Sequence, residues 1–143
     1  MIGAVCVGDN CIDTYLPPFN HKYIGGNALN VAVHIRKAGC PAAYIGAVGD
    51  DADGLAAIDR LRKQGIDVER IQIFPGRTAY TLVKLAPDGE REFVFEDFGP
   101  QPKFRLDKAD LEAIGGYSLV HNTWQGGTVE YLPQFHRYPG LQV

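Results

Sequence analysis

Apolar and polar positions change period several times along the chain, and each change marks an element. Ile2-Gly3-Ala4-Val5-Cys6-Val7 is an unbroken apolar run, the pattern of a strand buried on both faces, and Gly8-Asp9-Asn10 ends it as a turn. Residues 12–16 and 21–24 follow on either side of Pro17-Pro18, whose missing donors confine them to short edge strands or a loop. From 27 to 38 the period becomes helical. Ala28, Val31, Ala32, Ile35 and Ala38 recur at three- and four-residue steps, Arg36 and Lys37 suit the negative end of the helix dipole, and Gly39 serves as a cap. Residues 42–48 read as a second buried strand ended by Gly49-Asp50-Asp51. Residues 53–64 read as a second helix, with Leu55, Ile58 and Leu61 on one face and Gly65 after it.

The next stretch alternates instead. Residues 68–74, 78–86 and 90–97 are strand-like, and Pro87-Asp88-Gly89 joins the last two as a hairpin. Thr81, Val83 and Leu85 oppose Tyr80, Leu82 and Lys84, while Phe93 and Phe95 are expected to share a face. A sheet this amphipathic has to cover something, so the strands at about 12–24 and 68–97 read as a lid. Residues 107–114 then form a short helix, 117–121 a strand, and 128–137 a helix broken by Pro133. Strands alternating with helices give an α/β fold, a mainly parallel sheet with helices on its faces. Ligands of such sheets gather at the carboxyl ends of the strands, where Gly8-Asp9-Asn10 and Gly49-Asp50-Asp51 both lie.

Composition narrows the class. The 143 residues suit one domain, and a net charge of −3 gives no reason to expect nucleic acid or an anionic membrane as partner. No apolar run approaches the ~18 residues of a transmembrane helix, and the N-terminus lacks the pattern of a secretory signal, so a cytoplasmic protein is the simplest reading. Cys6, Cys11 and Cys40 make neither a disulfide framework nor a zinc-spaced cluster, and no metal site is expected among these residues.

Gly25-Gly26-Asn27-Ala28-Leu29-Asn30 is the segment richest in chemistry. Two glycines before a helix let a ligand approach the backbone, and the first helical turn offers unpaired N–H donors. Asn30 can donate and accept, as a sugar hydroxyl does. Asp13 can accept from two adjacent hydroxyls, with Asp9 and Asn10 beside it past the first strand. A plain turn at the glycine pair, and a cap or turn role for Asp9, fit the same residues.

The spacing of Gly25-Gly26, Asn30, Ala32, Gly39 and Gly49 resembles the first signature of the PfkB, or ribokinase-like, family of carbohydrate kinases. Gly8-Asp9-Asn10-Cys11-Ile12-Asp13 and residues 26–33 are most similar to the fructosamine kinases of that family, and Asn27 and Ala28 replace the Lys-Gly of many ribokinases. The resemblance implies a partial ribokinase-like three-layer fold with an inserted β-strand lid, spanning residues 1–143 as the substrate-binding part. It implies sugar contacts at Asp9, Asn10, Asp13, Gly25, Gly26 and Asn30, and lid contacts at Arg77, Tyr80 and Asp97. The substrate expected is a fructosamine such as fructoselysine, whose cationic amine Asp9, Asp13, Glu96 and Asp97 can balance. It also implies a homodimer formed through the lid strands, and ATP with Mg²⁺ as cofactors of the full-length enzyme. The family's late Gly-Ala-Gly-Asp segment, which carries the catalytic base, does not occur here, so the ATP-binding part is expected to be absent. The chain alone is then expected to be inactive and to associate through its uncovered sheet edge. A non-catalytic sugar-binding module, or a kinase for another sugar or a nucleoside, shares these features. A dinucleotide-binding domain does not, because no G-x-G-x-x-G follows the first strand.

Overall fold

The structure is a computed structural model and describes residues 2–143. Its centre is β1 (Ala4–Val7), which pairs in parallel with β4 (Ala42–Ile45) on one side and β9 (Leu119–Asn122) on the other. All four β1 residues are buried, and alternation sends them to two separate cores. Val5 and Val7 join Ile45, Phe104, Ile114, Val120 and Phe135 on one face. Cys6 joins Ala28, Leu29, Ala32, Ile58 and Leu61 on the other. Helices α1 (Asn27–Lys37) and α2 (Ala52–Lys63) supply the second core, while α3 (Lys108–Ile114) and α4 (Leu132–Phe135) cover the first. Each fully buried aliphatic side chain contributes roughly 1.5–3 kcal/mol, so β1 is anchored from both sides. This is the expected α/β layering.

Several sequence expectations need correction. The strand at 42–48 is two strands broken at Gly46: β5 (Ala47–Gly49) leaves the central sheet and pairs with β6 (Gln72–Phe74). Gly46 lies against the Tyr44 hydroxyl and the Gly8 carbonyl, leaving no room for a side chain at the break. Residues 68–74 therefore do not belong to the lid; Ile66 and Val68 pack into the α2 core, and only three residues beyond them form strand. On α2 the buried stripe is Gly54, Ala57, Ile58 and Leu61, and Leu55 is 51% exposed. Residues 128–137 are not one broken helix but a 3₁₀ turn (Val129–Tyr131) and the four-residue α4, with Pro133 in its first turn, where a missing donor is harmless.

The lid is a four-stranded sheet in the order β3-β2-β7-β8, from β2 (Cys11–Tyr15), β3 (His21–Gly25), β7 (Tyr80–Leu85) and β8 (Arg91–Asp97). β2 is an inner strand, antiparallel to β3 and parallel to β7, because Pro17 and Pro18 fall in the turn rather than in the ladder. Phe93 and Phe95 do not share a face. Leu82 pairs with Phe95 and Val83 with Phe93, so Val94 is an extra residue and a β-bulge separates the two rings.

One buried network ties the end of β1 to its neighbours. The Tyr44 hydroxyl donates to the Gly8 carbonyl at 2.9 Å and accepts from Asn10 Nδ2 at 2.9 Å. Burial pushes the Tyr44 pKa well up, so the hydroxyl stays a donor throughout the working range. Tyr44→Phe leaves the Gly8 carbonyl and one Asn10 proton unpaired, an expected loss of about 1–3 kcal/mol in urea denaturation.

Candidate active site

The register of the lid sheet sets the site. Tyr23, Asp13, Thr81 and Glu96 are successive partners across β3, β2, β7 and β8, so directly opposed side chains stand on one face. Residues two and four positions along share it: Tyr15 opposite His21 and Val83, then Leu85 opposite Arg91. This face and the start of α1 enclose a cleft of about 820 Å³, with Asp13, Gly25 and Asn30 at its inner end.

Gly25 shows how close that inner end is drawn. A Cβ on it would stand 3.4 Å from Asp13 Oδ2 and 3.8 Å from Asn30 Nδ2. The carboxylate of β2 and the amide of α1 therefore meet over a bare stretch of backbone, so a small polyol can touch both at once. Asp13 is half-buried, and burial raises its carboxyl above the ordinary value, an effect that a hydrogen bond from Cys11 and the charge of Arg91 partly reverse. Beside it, burial pushes the Cys11 thiol up to about 11; the hydrogen bond with Thr81 lowers it, while the charges of Asp13 and Glu96 raise it further. Both acids therefore project negative potential onto one spot.

The other sequence-derived residues serve different ends. Asp9 caps α1 from outside the helix: its carboxylate accepts from the Asn27 N–H at 2.8 Å, the Ala28 N–H at 3.3 Å and the Thr123 hydroxyl at 2.5 Å. The helix needs this, because its own N-cap is Gly26, which has no side chain to offer. Asn10 is buried with Nδ2 donating to Tyr44 and to the Ala47 carbonyl at 2.7 Å, while its backbone carbonyl accepts from Gln101 Nε2. Gly26 has φ of 110°, and a Cβ there would overlap the Asn10 backbone and stand 2.8 Å from the Asp9 carbonyl. Asp9, Asn10 and Gly26 thus do not line this cleft; Asp9 and Asn10 instead form the floor of a smaller pocket, which they line with Glu96, Asp97 and Gln101. Arg77 lies over the Tyr80 ring at 3.5 Å, and Tyr80 faces Phe95 and pairs with Asp97 on the opposite face of the lid from Asp13. These three side chains stand away from the cleft.

Asp51 was legible only as part of a turn. Its carboxylate caps α2 through the Gly54 N–H at 3.0 Å and receives the Thr78 hydroxyl at 2.6 Å, fastening the root of β7 to the helix. Burial raises its carboxyl, but hydrogen bonds from Thr78 and Gly54 outweigh this and hold it below the usual range. That group stabilises the fold at neutral pH and ceases to do so as acid protonates it. Thr123, Gln101 and Tyr44, the polar groups that position the floor, carried no signal in the sequence, since their partners lie 34 to 114 residues away. Among the described residues no cluster of His, Cys, Asp and Glu is arranged to hold a metal ion, and no helix is long and apolar enough to cross a membrane.

Comparison with known proteins places this geometry in a family. Residues 4–124 match the pfkB family of carbohydrate kinases. The chain is 35% identical over 130 residues to fructoselysine 6-kinase of Escherichia coli, covering 91% of this chain and 49% of that protein. It is 33% identical over 133 residues to fructosamine kinase FrlD of Bacillus subtilis, covering 91% and 46%. It thus spans about half the length of the curated relatives it matches. Among solved structures, ribokinase from Giardia lamblia superposes with a TM-score of 0.79 at 21% identity, over 98% of this chain and 49% of that one. Arabidopsis thaliana ribokinase, complexed with ribose and ATP, gives 0.76 at 22% over 84% and 44%, so the chain shares the fold of both. With the matched residues running from the first strand through the glycine pair and the lid to Trp124, the chain belongs to the pfkB family of carbohydrate kinases.

Proposed function

We propose that these residues form the sugar-binding half of a cytoplasmic, ATP-dependent kinase that phosphorylates a hydroxyl of a fructosamine such as fructoselysine. In this reading ATP, Mg²⁺ and the catalytic base are engaged outside the chain, which supplies the sugar anchors and the lid. The observation that carries it is the meeting of Asp13 Oδ2 and Asn30 Nδ2 over Gly25. A carboxylate accepts from vicinal hydroxyls, an amide donates and accepts, and a residue without a Cβ leaves space for the ring. The amine of a fructosamine is cationic near neutral pH, and Asp13 and Glu96 in one row across the lid give it a counter-charge. Similarity to two fructosamine kinases supports the same substrate class. The outer lid strand β8 is exposed throughout, with Phe93 at 63% exposure, which supports pairing of lids between two copies.

Titration calorimetry of this chain with fructoselysine, fructose and ribose tests the proposal. Fructoselysine is expected to bind tightest. Gly25→Ala is expected to weaken it about tenfold or more with little loss of fold, because Gly25 has no positive φ and the methyl meets only ordinary contact distances. Unchanged affinity in that variant, or no preference among the three sugars, overturns the assignment.

A further inference from the structure

The cleft is larger than its sugar anchors require. At about 820 Å³ it lies within the range of roughly 300–1,000 Å³ that holds drug-sized ligands, whereas Asp13, Gly25 and Asn30 occupy only its inner end. Beyond them it is lined by Tyr15 and His21, with Tyr23 standing in the row of Asp13. The Tyr15 and Tyr23 rings meet edge to face at 5.5 Å, and His21 lies 4.5 Å from Tyr23. At the far end stands Arg91. It joins none of the ion pairs among the described residues, and its guanidinium lies 5.9 Å from the Phe93 ring.

The register gives the span. Arg91 pairs with Leu85, four residues along β7 from Thr81, the partner of Asp13. That offset is roughly 13 Å along the strand at about 3.3 Å per residue, with two further strand spacings across the sheet. The Arg91 side chain reaches back over part of that distance, since its charge acts on the Asp13 carboxyl; a chain attached to a hexose at Asp13 would run towards it.

We propose that the outer half of the cleft is a subsite for the amino-acid portion of a glycated amino acid, with its carboxylate held by Arg91 and its alkyl chain laid along the Tyr15–Tyr23 wall. The inference rests on Asp13 and Asn30 being the sugar anchors. Charge order supports it: Asp13 and Arg91 both line the cleft, Asp13 beside the sugar anchors and Arg91 four residues further along the sheet, matching a ligand whose cationic amine precedes a carboxylate. Arginine suits the outer position because its planar fork takes a carboxylate through two parallel hydrogen bonds. The aromatic wall offers apolar area to the methylenes between the charges.

Two probes isolate the carboxylate: the fructosyl derivatives of 6-aminohexanoic acid and of hexylamine, titrated calorimetrically into this chain. The acid is expected to bind about tenfold tighter at low salt, and the difference to shrink as salt screens an exposed pair. Arg91→Gln is expected to erase that difference by weakening the acid, with a much smaller change for the hexylamine derivative, while Arg91→Lys restores part of it. Arg91 is exposed, so neither change threatens the fold. Equal affinity for both probes in the unmodified chain, or equal weakening of both by Arg91→Gln, overturns the subsite. Dependence on Asp13 with none on Arg91 removes the subsite alone. Indifference of every probe to Asp13→Asn, or no binding by any, removes the sugar site and the subsite together.

Discussion

Gly26→Ala is expected to destabilise the chain more than any other single-methyl change near the cleft, by roughly 3–5 kcal/mol. Two effects add. At φ of 110° an alanine takes a backbone conformation that costs of order 1–3 kcal/mol for a residue with a side chain. The new Cβ would also sit inside the Asn10 backbone, so the turn after β1 must move, and forced repacking of this kind typically costs 1–3 kcal/mol more. Displacing Asn10 and Asp9 also withdraws the carboxylate that caps α1. Against a total stability of about 5–15 kcal/mol this is a large fraction, and the melting temperature should fall by roughly 10 °C or more. Gly89→Ala is the control. Gly89 has φ of 88° with nothing within 4 Å of an added Cβ, so only the backbone term remains there. If the two variants melt together, the close approach at Gly26 is not what the sequence is preserving.

The contrast between the two adjacent glycines explains what the sequence could and could not convey. Its apolar runs identified β1, α1 and α2 because burial on one or both sides imposes a period that local reading detects. The glycine pair and the amide four residues on stood out as a candidate site because they are close in sequence. What each glycine does was not: Gly25 opens space beside Asp13, while Gly26 permits contact with a turn sixteen residues earlier. The same limit hid the partners of Asp9 and Asn10. Small polar residues at a strand end look alike whether they meet a ligand or a helix N-terminus, and only the fold shows Asp9 turned towards Asn27 and Asn10 towards Tyr44. In the lid, one bulge at Val94 was enough to invert the faces beyond it. Leu55 failed differently: a three-residue step alone fixes a helical face only to within its edge, and Gly54, Ala57 and Leu61 define the centre.

Asp13→Asn should move binding and stability in opposite directions. The fold raises the carboxyl of Asp13 above its unfolded value, chiefly by burial. A carboxyl with a raised folded pKa stabilises the native state fully below its unfolded pKa, and that contribution is lost as pH rises through the folded one. At neutral pH the ionised group is therefore a net cost to the empty protein. Asparagine has nearly the same shape, keeps an acceptor for Cys11 and carries no charge, so the variant should be at least as stable as the parent at pH 7. The stability gap should close on acidification towards the Asp13 titration. Binding should suffer, because a charge-assisted hydrogen bond to a sugar hydroxyl contributes about 1.5–3 kcal/mol, and its loss weakens affinity by roughly 10- to 150-fold. A fructosamine should lose more than fructose, since only the amine interacts with the missing charge. Calorimetric titration with both ligands and urea unfolding at two pH values measure the two effects on one pair of proteins. A variant that binds normally, or one that loses stability at neutral pH, would show that Asp13 is held in place for packing and not for a ligand.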